Sequence, residues 1–153
     1  MPGNLESLAY DLAVRSLGQQ ERVLEELRAR TGTLLTATAV TTSFLGARAL
    51  TGDAEHTLGI VGFAFAIGSI VLSVYVLAPK GVLDFAISGA AIYDYFAPDN
   101  APLAEAERTI AYWAQFAWDS NQAVINGLVS SFQRACAALV IAVGLWSLAL
   151  ALH

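Results

Sequence analysis

Residues 57–78, TLGIVGFAFAIGSIVLSVYVLA, carry no charged side chain and run up against Pro79 and Lys80. At 1.5 Å per residue a helix of this length reaches across a hydrocarbon core of about 30 Å. Proline is a natural helix stop and lysine an interfacial anchor, so the run reads as a transmembrane helix with a defined end. The rest of the chain agrees with that solvent. Its residues are 56% hydrophobic and 14% charged, against roughly 45–50% and about 25% in an ordinary globular domain.

Two further runs are candidates for spans. Residues 135–152 are uncharged, follow Arg134, and carry Trp146 towards the end opposite that arginine, as interfacial aromatic residues do. Residues 33–50 are diluted by Thr33, Thr36, Thr38, Thr41, Thr42 and Ser43, with Arg48 close enough to the end to snorkel to the interface. Between the first two spans only TGDAEH, residues 51–56, intervenes, which is enough for a tight hairpin. The connection from Pro79 to Arg134 holds Asp84, Asp94, Asp99, Glu105, Glu107, Arg108 and Asp119, too many charges for a fourth span. The expected fold is therefore all-α: one membrane domain over 1–153, a helical bundle with three transmembrane helices, two of them extended into cytoplasmic helices. Arg15, Arg22, Arg28, Arg30, Lys80, Arg108 and Arg134 fall on one side and Arg48 on the other. The positive-inside rule then puts the N-terminus in the cytoplasm.

The cytoplasmic parts read as helix too. Over residues 4–30, Leu5, Leu8, Leu12, Leu17, Leu24 and Leu27 recur at three- to seven-residue steps, and Glu21, Glu25 and Glu26 alternate with Arg22, Arg28 and Arg30. No proline separates this stretch from residues 33–50, so one continuous rod is expected. After Lys80 a short apolar helix is expected over 82–96, then a break at APDNAP (97–102), then a helix over 102–134 that continues without a breaker into 135–152. Leu103, Ile110, Ala117 and Val124 repeat every seven residues with Ala106 and Trp113 in register, a coiled-coil-like seam. Leu103, Ile110, Trp113, Ala117 and Val124 are the candidates for oligomerisation, with packing inside one subunit the alternative.

Chemistry is sparse. A net charge of -5, from 13 acidic and 8 basic side chains, supplies no basic stripe, so nucleic acid is not an expected partner. The spans offer almost no ionisable groups, and no phosphate loop, GxSxG elbow or CxxC pair occurs; the chain does not read as an enzyme and no cofactor is expected. Asp53, Glu55 and His56 gather metal-ligand types in one loop but read as a solvated turn, so no metal site is expected; Asp94 and Asp99 read as capping residues. The lone Cys136 reads as a small core residue. Residues 1–10 lack a basic stretch followed by an apolar core, so a signal peptide is not expected. Gly62 with Ala66, Ala64 with Gly68, and Ser69 with Ser73 have the small-xxx-small spacing that lets helices approach closely. Thr31, Thr38 and Thr42 share a face of the first span and are candidate pore-lining residues. The alternative is that these hydroxyls bond back to helix carbonyls or across to a neighbour.

The order of parts resembles a family, the transmembrane effectors of bacterial cyclic-nucleotide antiphage systems, the Pycsar effector and SLATT-like small membrane proteins. The resemblance is carried by ERVLEELRARTGTLLTATAV (21–40), an amphipathic helix running into the first span, and NQAVINGLVSSFQRACAALVIAVGL (121–145), a cytoplasmic helix running into the last. It departs where the family often has an acidic residue and a lysine at the first membrane crossing; here Arg28, Ala29, Arg30 and Thr31 stand there. The resemblance implies an inner-membrane protein that forms a homo-oligomer through its cytoplasmic helices and permeabilises the membrane when a partner protein, sensor or ligand triggers it. Two other readings are a small structural or regulatory subunit docking on a larger complex and a constitutive ion channel.

Overall fold

A computed structural model describes residues 5–49, 56–81, 83, 85, 88–98 and 102–152. Its elements are helical, and no strand occurs among the described residues. In chain order they are α1 (Leu5–Thr41), a π-helical segment (Thr42–Gly46), α2 (Ala47–Ala49), α3 (His56–Leu77), α4 (Gly89–Phe96) and α5 (Leu103–Leu152). The chain divides into two compact units. The first comprises Met1–Glu25 with Lys80–Ile125, the second Glu26–Pro79 with Asn126–His153.

In the first unit, α1 and α5 are held by a seam of period 3.5. Leu17, Gln20 and Leu24 are buried on α1, and Ala114, Ala117, Asn121 and Ile125 on α5. The N-terminal part of α1 shares a groove with Arg108–Gln115, while Gln20 further on meets Trp118 and Gln122, so the two helices run parallel here. Helix-forming Leu, Ala, Gln, Glu and Arg fill the exposed turns of α1, with Asp11 pairing Arg15 one turn on.

The expected helix over 82–96 is corrected to α4. Ser88 is extended (φ -74°, ψ 113°), and its side chain accepts from the Ala91 N–H at 3.3 Å, which starts the helix at Gly89. Leu83 and Phe85 lie outside it, where the Leu83 N–H meets the Lys80 carbonyl in a turn. Tyr95 and Phe96 meet edge to face at 4.9 Å.

In the second unit α3 runs antiparallel to α5: Ser69 bonds to Ala135, and Trp146, further along α5, to Gly59 at the start of α3. Gly59, Gly62, Ala66, Ser69, Ser73 and Val76 are the buried face of α3. On α5 the stripe is Leu128, Ala135, Ala142 and Ala149 at strict seven-residue steps, joined by Trp146. On α1 the buried positions Leu27, Thr31 and Thr38 keep a heptad that would next place residue 45 inside. The π-helical segment inserts one residue into that count, and Gly46 is buried instead, with Ala49 one turn later. Trp146 is the reason the shift matters, since its six-membered ring edge lies where a Cβ on residue 46 would come within 3.2 Å.

Two helices among the described residues are long and apolar enough to cross a membrane, α3 over Thr57–Leu77 and α5 through its apolar half. In their most apolar windows only 28% and 22% of the residues are buried, unlike the central helix of a water-soluble core. Residues 33–49 are helical throughout, with the π-helical segment interrupting the α-helix after Thr41.

Candidate functional site

In the second unit several hydroxyls lie inside while large apolar side chains of α3 lie outside. Ile60, Val61, Phe63, Ile67, Val71 and Val74 of α3 are exposed, whereas Thr31, Thr38, Ser69 and Ser73 are fully buried, each 0% exposed. Every one of these hydroxyls has an acceptor. Thr31 Oγ1 donates to the Leu27 carbonyl at 2.7 Å and Thr38 Oγ1 to the Leu34 carbonyl at 2.8 Å. The half-buried Thr42 donates to the Thr38 carbonyl at 2.7 Å. Ser73 donates to the Ser69 carbonyl at 2.8 Å, and Ser69 crosses between helices to the Ala135 carbonyl at 2.9 Å. Two of the three candidate pore-lining residues thus face packed protein in the single chain and line no passage there. Their hydroxyls use the back-bonding that satisfies a threonine inside a helix.

The small residues of α3 separate by face. Gly62 and Ala66 are buried against α5, while Ala64 is exposed and Gly68 has no neighbour within 4 Å of where a Cβ would stand. Gly62 is the tightest point, since a Cβ there would lie 2.6 Å from Trp146 Nε1. Trp146 is 0% exposed and donates its indole N–H to the Gly59 carbonyl at 3.2 Å, so it is an interior residue and not the interfacial anchor expected from its place near a span end. It packs with Ala49, Ala66, Ala142 and Ala149. The clamp of Gly46 and Gly62 around one indole was not visible in the sequence, since the three residues are far apart in it; the small-xxx-small spacing marked only Gly62.

In the first unit the oligomerisation candidates share a face of α5 but meet different surroundings along it. Ala117 is buried in the α1–α5 seam, Val124 is half-buried, Ile110 and Trp113 border a cavity against α4, and Leu103 is 74% exposed. The buried stripe follows 114, 117, 121 and 125, leaving Leu103, Tyr112 and Phe116 of α5 outside together with Leu5, Leu8 and Leu12 of α1. Isolated exposed apolar residues are ordinary, and it is contiguous apolar patches that mark interaction surfaces.

A groove in this unit, about 420 Å³ and open to solvent beside the exposed Gln19, Val23 and Gln115, is lined also by Ser16, Gln20, Trp118, Gln122 and Ile125, without one ionised side chain. Gln20 is 6% exposed. Its Nε2 donates to the Trp118 carbonyl at 3.1 Å and to Gln122 Oε1 at 2.8 Å. Both partners accept, which sets the orientation of the amide and leaves its Oε1 buried without a donor. In the sequence these glutamines look like solvated surface, being amides spaced along a charged helix. Their one signal was Gln20 falling three residues after Leu17 and four before Leu24, on the apolar stripe.

Among the described residues no group of three or more His, Cys, Asp or Glu side chains could hold a metal ion. Asp53, Glu55 and the His56 side chain lie outside the described residues, as does Asp99, while Asp94 is exposed on α4. Compared with protein-family models, with curated proteins and with solved structures, the chain matches none.

Proposed function

We propose that this chain is a three-span inner-membrane protein that acts by self-association, its cytoplasmic helices bringing copies together and its spans then breaching the bilayer, as an effector of antiphage defence would. The observation that carries the associative part is the number of large apolar side chains exposed on the first unit, among them Leu5, Leu8, Leu12, Leu103, Tyr112 and Phe116. The membrane part is supported by the outward Ile, Val and Phe of α3, the kind of surface that lipid selects. A 50-residue α5 is about twice what a bilayer needs, so its N-terminal half has to stand outside the hydrocarbon. Residues 33–49 form the third span in this reading, with the exposed hydroxyls of Thr33, Thr36 and Ser43 bonded to carbonyls of their own helix. The basic residues then place the N-terminus and the 80–134 connection in the cytoplasm. With Thr31 and Thr38 enclosed, the single chain is the closed form, and conduction requires the α1 seam to open on assembly.

The closed, fully bonded hydroxyl seam also favours a second reading, a docking subunit that never opens. Light scattering of the purified protein with the detergent contribution subtracted, paired with dye release from vesicles carrying the same sample, separates the two. The effector gives a defined oligomer that releases dye, and Tyr112→Ser with Phe116→Ser lowers both mass and release. A silent monomer refutes the effector reading and leaves the docking subunit.

A further inference from the structure

We infer that the open groove between α1 and α5 of the first unit seats a second copy of this chain, packed groove to groove about a two-fold axis parallel to the helices. The inference rests on the self-association proposed above and names the surface that carries it. The groove beside Gln20 and the one at the start of α1 are continuous, since Ser16 and Gln115 line both. Together they run from Leu5 to Val23 on α1 and from Arg108 to Ile125 on α5, about 27 Å at 1.5 Å per residue. Leu5 and Leu12 on one wall and Tyr112 on the other are exposed, so the walls form one apolar patch at this end.

Charge selects the occupant. The α1 wall carries one carboxylate, Glu6, and the α5 wall one guanidinium, Arg108, and neither joins an ion pair among the described residues. Gln20 meets Trp118 and Gln122, so Glu6 stands level with about residue 106, roughly 3 Å from Arg108 along the helix axis. A two-fold axis parallel to the helices sets the α1 wall of each copy against the α5 wall of the other at the same level. Glu6 of each copy then meets Arg108 of the other, two ion pairs from one contact. Oε2 of Glu6 is enclosed by its own chain, and Oε1 is the oxygen that takes the guanidinium. The same operation sets Leu12 beside Tyr112, and Gln19 beside Gln115 and Gln122, whose amides donate and accept in pairs. Because α5 runs unbroken from this groove into its apolar half, copies inserted the same way in one bilayer present parallel walls.

The test is the mass of the full chain in density-matched detergent micelles, followed by sedimentation through a dilution series. The wild type is expected at two copies or an even multiple of two. Glu6→Lys and Arg108→Glu each set like charges against each other twice per pair, and each is expected to weaken pairing about tenfold or more. Mixing the two variants is expected to restore it. The introduced lysine of one then faces the introduced glutamate of the other, and the native Arg108 of the first faces the native Glu6 of the second. A contact inside one chain could not be restored by mixing. If either variant fails to fold, Leu12→Cys and Tyr112→Cys, each combined with Cys136→Ser, are mixed and oxidised. A disulfide joining the two is expected in several-fold excess over disulfides of either with itself. An odd number of copies, pairing undiminished by both single swaps, a mixture that stays apart, or no excess of the mixed disulfide overturns this interface and leaves self-association standing. A monomeric wild type overturns both.

Discussion

Gly62→Ala tests the packing of the second unit at its tightest point. The added Cβ would stand 2.6 Å from Nε1 and 2.9 Å from Cδ1 of Trp146, where unstrained carbon contacts sit at about 3.5–4.0 Å. The indole must therefore move by roughly 1 Å. It has little room, being fully buried, with its far edge against Gly46, where a Cβ would already be only 3.2 Å from Cζ2. Moving the ring away from α3 stretches the 3.2 Å bond from Nε1 to the Gly59 carbonyl beyond hydrogen-bonding range. An unpaired buried N–H costs about 1–3 kcal/mol and overpacking about 1–3 kcal/mol. Alanine's better helix propensity returns about 1 kcal/mol, so the net destabilisation is about 1–5 kcal/mol. Gly68→Ala, with no atom within 4 Å of its new Cβ, is the control on the same helix and should be neutral or slightly stabilising. Unfolding of the detergent-purified protein by increasing SDS, followed by tryptophan fluorescence, measures both. Equal stability of the two variants would refute the account of Trp146 as a clamped interior residue.

Ser69→Ala removes the inter-helix bond to the Ala135 carbonyl and is expected to lower stability by about 0.6–1.5 kcal/mol in the same SDS titration. Thr38→Val keeps the shape and removes a hydroxyl that bonds only its own helix, so its change should stay within about 0.5 kcal/mol. Larger destabilisation by Thr38→Val than by Ser69→Ala would contradict the assignment of partners. Ser88→Ala deletes the N-cap of α4 at a local cost of about 1 kcal/mol. Chymotryptic cleavage beside the exposed Tyr93 and Tyr95 should then speed up about fivefold, read by mass spectrometry of the fragments.

Much of the helical layout was legible in the residues. An uncharged run closed by Pro79 and Lys80 marks a helix with its end, and α3 stops at Leu77. The absence of a breaker after Pro102 marks one long helix, and α5 runs unbroken to Leu152. Harder to read was which face packs. Every seventh residue from Ala114 to Ala149 is buried, and four of those six are alanine, a residue that carries almost no periodic signal beside the bulkier Leu103, Ile110, Trp113 and Val124. The start of α4 was missed because the apolar run of 82–87 outweighed one serine, although it is Ser88 that caps the helix.

Local composition by itself determined that this chain is helical and where two helices are apolar enough for a bilayer, because run length, charge and breakers act through each residue's own solvation and backbone preference. Only the tertiary structure decided the residues that meet. The one-residue shift at Thr42–Gly46, the glycines around Trp146, the bond from Ser69 to Ala135 and the orphaned acceptor of Gln20 all depend on a partner far away in the chain. A helix's own periodicity says that a stripe exists, and the helix laid against it selects which stripe is used.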